Sequence, residues 1–189
     1  MTAVRSGRFR PAWSGCPGVA GLITTWRLAA DAGPGDPLPA MLDALATVDG
    51  ARVLLIDAGG SATAQCFGGV LASAARYRGV AGALVHGAVR DTGELAGLGF
   101  PAYSVGVYPA RLRGRFALRD TRVTVRLPDG PVRDGDFVIA DADGAVFVPA
   151  AGLPAAVQTA RRIAAAGDAL LSRLQDDARP GPDISGILP

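Results

Sequence analysis

Lysine is missing altogether from this chain of 189 residues, so every strongly basic side chain, 19 in all, is an arginine. That uniformity reads as a trait of genomic base composition rather than of chemistry. Set against 17 acidic residues, the arginines leave a formal net charge of only +2. They are scattered rather than gathered on one expected face, which argues against nucleic acid as a partner. Cysteine is scarce as well. Cys16 and Cys66 have neither metal-ligand nor Cys-x-x-Cys spacing and are too few for a disulfide framework, which excludes a zinc site and points to the cytoplasm. Although 49% of the residues are hydrophobic, no apolar run approaches the roughly 18 residues that cross a bilayer, so no membrane is expected as a partner. The basic opening, MTAVRSGRFRPAWSG, is not followed by the hydrophobic stretch and small-residue cleavage site of a signal peptide. Histidine occurs once, as His86. A Ser-His-Asp or Cys-His constellation would have to use it, yet no Ser or Cys stands in a G-x-S-x-G turn. His86 reads instead as a strand-end histidine satisfied by a backbone carbonyl.

What is present is an alternation of strands and helices. Val19 to Leu28 is rich in β-branched residues and reads as a strand, followed by the turn cluster AGPGDP at 32–37. Leu38 to Val48 has apolar residues at helical spacing and stops at Gly50. RVLLID, Arg52 to Asp57, is a continuous apolar run ending in an acid, the pattern of a buried parallel strand. AGGSATAQCFGG, Ala58 to Gly69, reads as a glycine-rich loop, Val70 to Arg78 as a helix capped by Gly79, and Ala81 to Val85 as the next strand. Thr92 to Leu98 is a short helix and Ala102 to Val107 a further strand. This alternation predicts a parallel α/β core. From Arg122 onward, Val123 and Val125, Phe137 to Ala140 and Ala145 to Val148 read as short strands between DG-containing turns, an antiparallel β unit beside the α/β layer. Leu153 to Leu174 is one long, Ala-rich helix. The expected organisation is an irregular segment over 1–18, a single α/β domain over 19–174, and a flexible tail over 175–189.

Two places invite a chemical reading. Gly68-Gly69-Val70-Leu71 stands at the expected start of a helix, where free amides and the positive dipole end favour a small carboxylate. It matches neither G-x-G-x-x-G nor the Walker pattern, and a plain turn is the alternative. Arg90-Asp91 follows the strand ending in Val85. It reads either as a local ion pair with Asp91 as N-cap of the Thr92 helix or as the rim of a site. Both places lie just past the C-terminal ends of successive parallel strands, where open α/β sheets build their sites.

The string VLLIDAGGSATAQCFGGVLASAARYRGVAGALVHGAVRD, continued by GFPAYSVGVYP and VRDGDFVIADADGAVFVP, resembles the RraA-like family over roughly Pro37 to Arg173. That family includes 4-hydroxy-4-methyl-2-oxoglutarate aldolases with oxaloacetate decarboxylase activity and the regulator of ribonuclease activity A. The resemblance implies a swivelling β/β/α-type domain assembled as a homotrimer with sites between subunits. It implies that Asp91 binds a divalent metal, Mg²⁺ or Mn²⁺. Arg90 would contact the pyruvate part of an α-keto acid, and the amides of Gly68, Gly69, Val70 and Leu71 would hold its carboxylate. Asp57, at its strand end, is expected either to hold a metal-bound water or to cap a turn. The implied activity is metal-dependent carbon-carbon cleavage that releases pyruvate; the alternative is a non-catalytic binding or regulatory trimer. Three departures from the family pattern bear on that choice. Gly69 replaces a Glu or Asp, leaving an expected carboxylate absent; the C-terminal helix offers only Asp168; and the usual opening helix does not precede VAGLITT.

Overall fold

In the computed structural model, which describes residues 3–30 and 33–176, the chain divides into two compact units, Met1–Ala150 and Ala151–Pro189. The boundary therefore falls before the last helix, where the sequence reading drew one body over 19–174. In chain order the first unit contains β1 (Val4–Ser6), β2 (Arg10–Pro11), β3 (Val19–Ala30), α1 (Leu38–Ala46), β4 (Val53–Phe67), α2 (Gly69–Tyr77) and β5 (Gly82–Val89). It continues with α3 (Thr92–Leu98), β6 (Ala102–Val107), β7 (Phe116–Thr121), β8 (Val125–Leu127), β9 (Gly130–Val132), β10 (Phe137–Asp141) and β11 (Gly144–Val148). The second unit holds α4 (Leu153–Asp176).

The parallel core is β3-β4-β5-β6. Its central strand β5 is buried at every position, as a strand covered on both faces must be, and its apolar run without alternation follows from that. The antiparallel strands do not form a separate unit beside this layer. β10 pairs with the first half of β3, β11 with β10 and β1 with β11, so they prolong the same sheet. β8 and β9 form a separate two-stranded hairpin. The sequence reading missed β7, which pairs antiparallel with the second half of β3; its residues FALRDT show no clean alternation because four of the six are only partly buried. The opening segment is not irregular throughout, since β1 and β2 bind the edges at β11 and β6.

Two cores lie on opposite faces of the parallel sheet. Leu54, Ile56, Ala83 and Val85 pack with α1, α2 and α3. Val53, Leu55 and Leu84, one residue out of phase, pack with Phe9, Phe147 and the β8-β9 hairpin. The period-2 alternation of a strand thus decides on which side each later side chain falls. In the second unit α4 is 24 residues long, and Val157, Ile163, Leu171 and Leu174 along it are exposed. Gln175 and Asp176 belong to this helix, and the rest of the expected tail, 177–189, lies outside the described residues, as does Ala32 of the turn cluster. No helix among the described residues is long and apolar enough to cross a membrane.

Candidate active site

The segment after Asp57 is the largest local difference from the sequence reading. It continues as strand to Phe67 rather than looping out, with register shifts against β5 after Asp57, Ser61 and Gln65. Gly59 and Gly60 take φ of +65° and +74°, a conformation that a side chain disfavours. A Cβ on Gly60 would also come to 3.0 Å from Nε2 of His86. The extra residues are absorbed as bulges, and β4 ends on Phe67 beside the start of α2.

His86 and Asp57 form a buried pair, Nδ1 to Oδ1 at 2.8 Å. The histidine is therefore satisfied by a carboxylate rather than by a backbone carbonyl. Asp57 also accepts the Gly59 amide at 2.9 Å and so caps the turn. Both side chains follow the phase of Leu55 and Leu84 and lie near Phe9, whose ring centroid is 6.4 Å from that of His86. This is the face of the sheet away from α2 and α3. Of the two roles expected for Asp57, the structure shows the turn cap.

Arg90 and Asp91 sit where β5 hands over to α3. Asp91 is at the N-cap position of α3 in the left-handed region, φ 55° and ψ 39°, yet its side chain does not cap that helix. The unusual backbone turns the carboxylate back across the cleft to α2. There Oδ2 accepts the Gly69 amide at 3.2 Å and Nε of Arg90 at 3.1 Å. Both bonds fall on Oδ2, so Oδ1 remains available. Asp91 thus serves the start of the neighbouring helix, where a negative charge is favoured. The Ala72 amide makes the first intrahelical bond, to the Gly68 carbonyl, which leaves the Val70 and Leu71 amides as open donors at the same end.

Glu94, the only glutamate of the chain, was not singled out from the sequence. It lies in the first turn of α3, and its carboxylate fills the space beside Gly69, where a Cβ would collide with Oε2. Asp91 lies close to Gly68 in the same way, since a Cβ there would meet Oδ2 at 2.8 Å. A carboxylate thus stands beside Gly69, although residue 69 itself provides none. Two glycines in succession make room for two acids, and Glu94 was findable as the acid one helical turn after Asp91.

One cleft collects these groups. Gly68, Val70, Leu71, Arg90 and Asp91 line it, together with Asp36, Gln65, Arg111 and Arg113 from three further segments. The residues fit a hard divalent ion: Asp91, with one unengaged oxygen, and Glu94 both reach the amino end of α2, and Mg²⁺ characteristically takes one or two carboxylates with water and substrate oxygens. Among the described residues no group of three or more His, Cys, Asp or Glu is placed to hold an ion without such oxygens. Neither cysteine takes part; burial pushes the Cys66 thiol up to about 12.

The RraA-like family model, Aldolase/RraA, matches residues 1–147. A relative from Paraburkholderia phymatum, named "Putative 4-hydroxy-4-methyl-2-oxoglutarate aldolase", is 39% identical over 54% of this chain, which spans 62% of that protein's length. The crystal structure of Streptomyces coelicolor RraAS2, an unusual member of the RNase ES inhibitor RraA protein family, matches at a TM-score of 0.74 and 27% identity, covering 90% of this chain and 83% of that one. The RNA-processing inhibitor RraA of Thermus thermophilus matches at a TM-score of 0.64 and 29% identity, covering 78% and 85%. A mixed α/β fold with the family's strand, glycine and Arg-Asp order, matched over most of its length, makes this chain a member of the RraA-like family.

Proposed function

We propose that the protein is a divalent-metal-dependent carbon-carbon lyase acting on small α-keto acids and releasing pyruvate. Its substrates would be of the 4-hydroxy-4-methyl-2-oxoglutarate type, oxaloacetate, or both. The observation that carries this reading is the convergence of Arg90, Asp91 and Glu94 on the amino end of α2. Asp91 and Glu94 would hold Mg²⁺ or Mn²⁺, which when bound lowers the energy of negative charge growing on the keto oxygen.

The chain's own residues supply the rest. The open amides of Val70 and Leu71 bind the substrate's 1-carboxylate, aided by the helix dipole. Arg90 is held by Asp91 through Nε, which leaves its terminal nitrogens to donate to the keto oxygen. When the bond between carbons 3 and 4 breaks, its electron pair stays on carbon 3 and delocalises onto that oxygen. Arg90 is aimed in advance at the place where charge develops. In decarboxylation the other fragment leaves as carbon dioxide; in retro-aldol cleavage the 4-hydroxyl gives its proton to water as its oxygen becomes the carbonyl of a second keto acid. In both, carbon 3 takes one proton from water and completes pyruvate. The family resemblance adds a homotrimer with sites between subunits to this reading.

The test is pyruvate release from oxaloacetate and from 4-hydroxy-4-methyl-2-oxoglutarate with Mg²⁺, with Mn²⁺ and with EDTA, corrected for decarboxylation by the free metal. Metal-dependent release that disappears in Asp91→Ala, with an unchanged circular dichroism spectrum, is the expected result. Glu94→Gln should lower kcat/KM roughly ten- to hundredfold, the usual cost of disturbing a metal's surroundings. A second reading, a non-catalytic regulator of a ribonuclease, is favoured by the likeness to an RNA-processing inhibitor and to an unusual member of the RNase ES inhibitor family. Absence of turnover with every keto acid and metal would select it.

A further inference from the structure

The loop between β6 and β7 brings a second set of donors to the cleft. It is pinned at several points: the Tyr108 amide donates to the Val89 carbonyl at 2.9 Å, and the Gln65 amide to the Ala110 carbonyl at 3.0 Å. Leu112 is buried in the helical-side core, and the amides of Arg115 and Phe116 both donate to its carbonyl. With Leu112 anchored inward, its neighbours Arg111 and Arg113 are held at the rim, where both line the cleft and are exposed. Arg113 is tethered through Nε to the Pro34 carbonyl at 3.2 Å, which leaves its terminal nitrogens free to bind. Arg111 makes no hydrogen bond or ion pair among the described residues. The side-chain amide of Gln65, half-buried in the same cleft, is likewise without a partner there.

Arg90 is paired with Asp91, whereas Asp36 accepts the Leu38 amide at 3.0 Å. Among the described residues neither rim arginine has a carboxylate within ion-pair distance. A keto acid whose single carboxylate sits at the amino end of α2 leaves both guanidinium groups without an anion. We infer that Gln65, Arg111 and Arg113 form a subsite for a second carboxylate, so that the cleft selects dicarboxylic over monocarboxylic α-keto acids, with Arg111 as the principal reader. The inference rests on the proposed function for the location of the first carboxylate. It assigns specificity to a loop and a strand residue outside the catalytic group. Arginine suits the task because its planar fork meets a carboxylate with two parallel hydrogen bonds.

Binding is measured separately from turnover, by calorimetric titration in Mg²⁺ with 2-oxoglutarate, which carries two carboxylates, and with pyruvate, which carries one. The wild type is expected to bind 2-oxoglutarate roughly ten- to hundredfold more tightly than pyruvate, the usual worth of a charge-assisted hydrogen bond. Arg111→Ala should remove most of that difference and Arg111→Lys restore part of it. In kinetics, Arg111→Ala should raise KM for oxaloacetate far more than it lowers kcat. Equal affinity of the wild type for the two ligands, or an undiminished preference in Arg111→Ala, overturns the subsite. A preference that depends on Arg111 in a protein without turnover sustains the subsite and overturns the lyase reading, so the two fail separately.

Discussion

Gly69 and Glu94 form a pair whose energetics can be isolated. Gly69 is inside α2 and outside the left-handed region, so alanine there should gain helix propensity, up to about 1 kcal/mol. It should lose more by driving a Cβ into the Glu94 carboxylate, an overpacking cost of about 1–3 kcal/mol. Gly69→Ala is therefore expected to destabilise the wild type and to stabilise Glu94→Ala, a reversal of sign read from urea midpoints in a double-mutant cycle. The same sign in both backgrounds would mean that Glu94 does not occupy the space beside Gly69. Residue identities carried the Arg90-Asp91 pair and the glycines far enough to name them from the sequence. Spacing marks Glu94 as the acid one helical turn after Asp91, but not its place beside Gly69, which depends on α3 lying across the cleft from α2. For Asp57 the strand-end position and the turn cap were legible, but the face to which it points was settled by the phase of β4 against β5.

At the scale of elements, β4 shows what pattern reading captures and what it loses. VLLID was legible as a buried strand because both of its faces are covered. Its continuation to Phe67 was not, because Gly59 and Gly60 imitate a loop while bulges keep the ladder to β5 intact. That continuation buries Cys66 completely, with a measurable consequence. Burial withholds water from the thiolate and raises the group from 9.0 to about 12. The unfolded chain gives up this proton near pH 9 while the folded chain keeps it, so the contribution of Cys66 to stability is whole below 9 and is lost as pH rises through 12. Cys16 and Tyr103 are pushed upward by burial as well, so all three weaken the fold in alkali. Cys66→Ala is expected to make the fall in the urea midpoint between pH 8 and pH 10.5 shallower without abolishing it. An unaltered slope would show that the thiol ionises as readily in the folded chain as in the unfolded one.

For the whole molecule, the parallel character of the β3, β4, β5 and β6 core was legible because alternating strands and helices admit few arrangements, and right-handed crossovers fewer still. The junction with β10, β11 and β1 was not, since which edge an antiparallel strand joins depends on long-range pairing that turn residues do not encode. The helix α4 was legible from its alanines, but its exposed Val157, Ile163, Leu171 and Leu174 are harder to account for in a single chain. A helix in water draws most of its stability from packing an apolar face rather than from propensity. On the trimeric reading proposed above, a neighbouring subunit covers these side chains. Sedimentation equilibrium should then give three times the chain mass. Burying a leucine is worth about 1.5–3 kcal/mol, so replacing two with aspartates, Leu171→Asp with Leu174→Asp, should weaken association by at least about a hundredfold. The first unit has its own two cores and should keep its circular dichroism signature in the dissociated protein. If the sites lie between subunits, pyruvate release should fall with the fraction of trimer across a dilution series. Full activity in a monomeric double variant would place the whole site within one chain and remove the trimer from the mechanism.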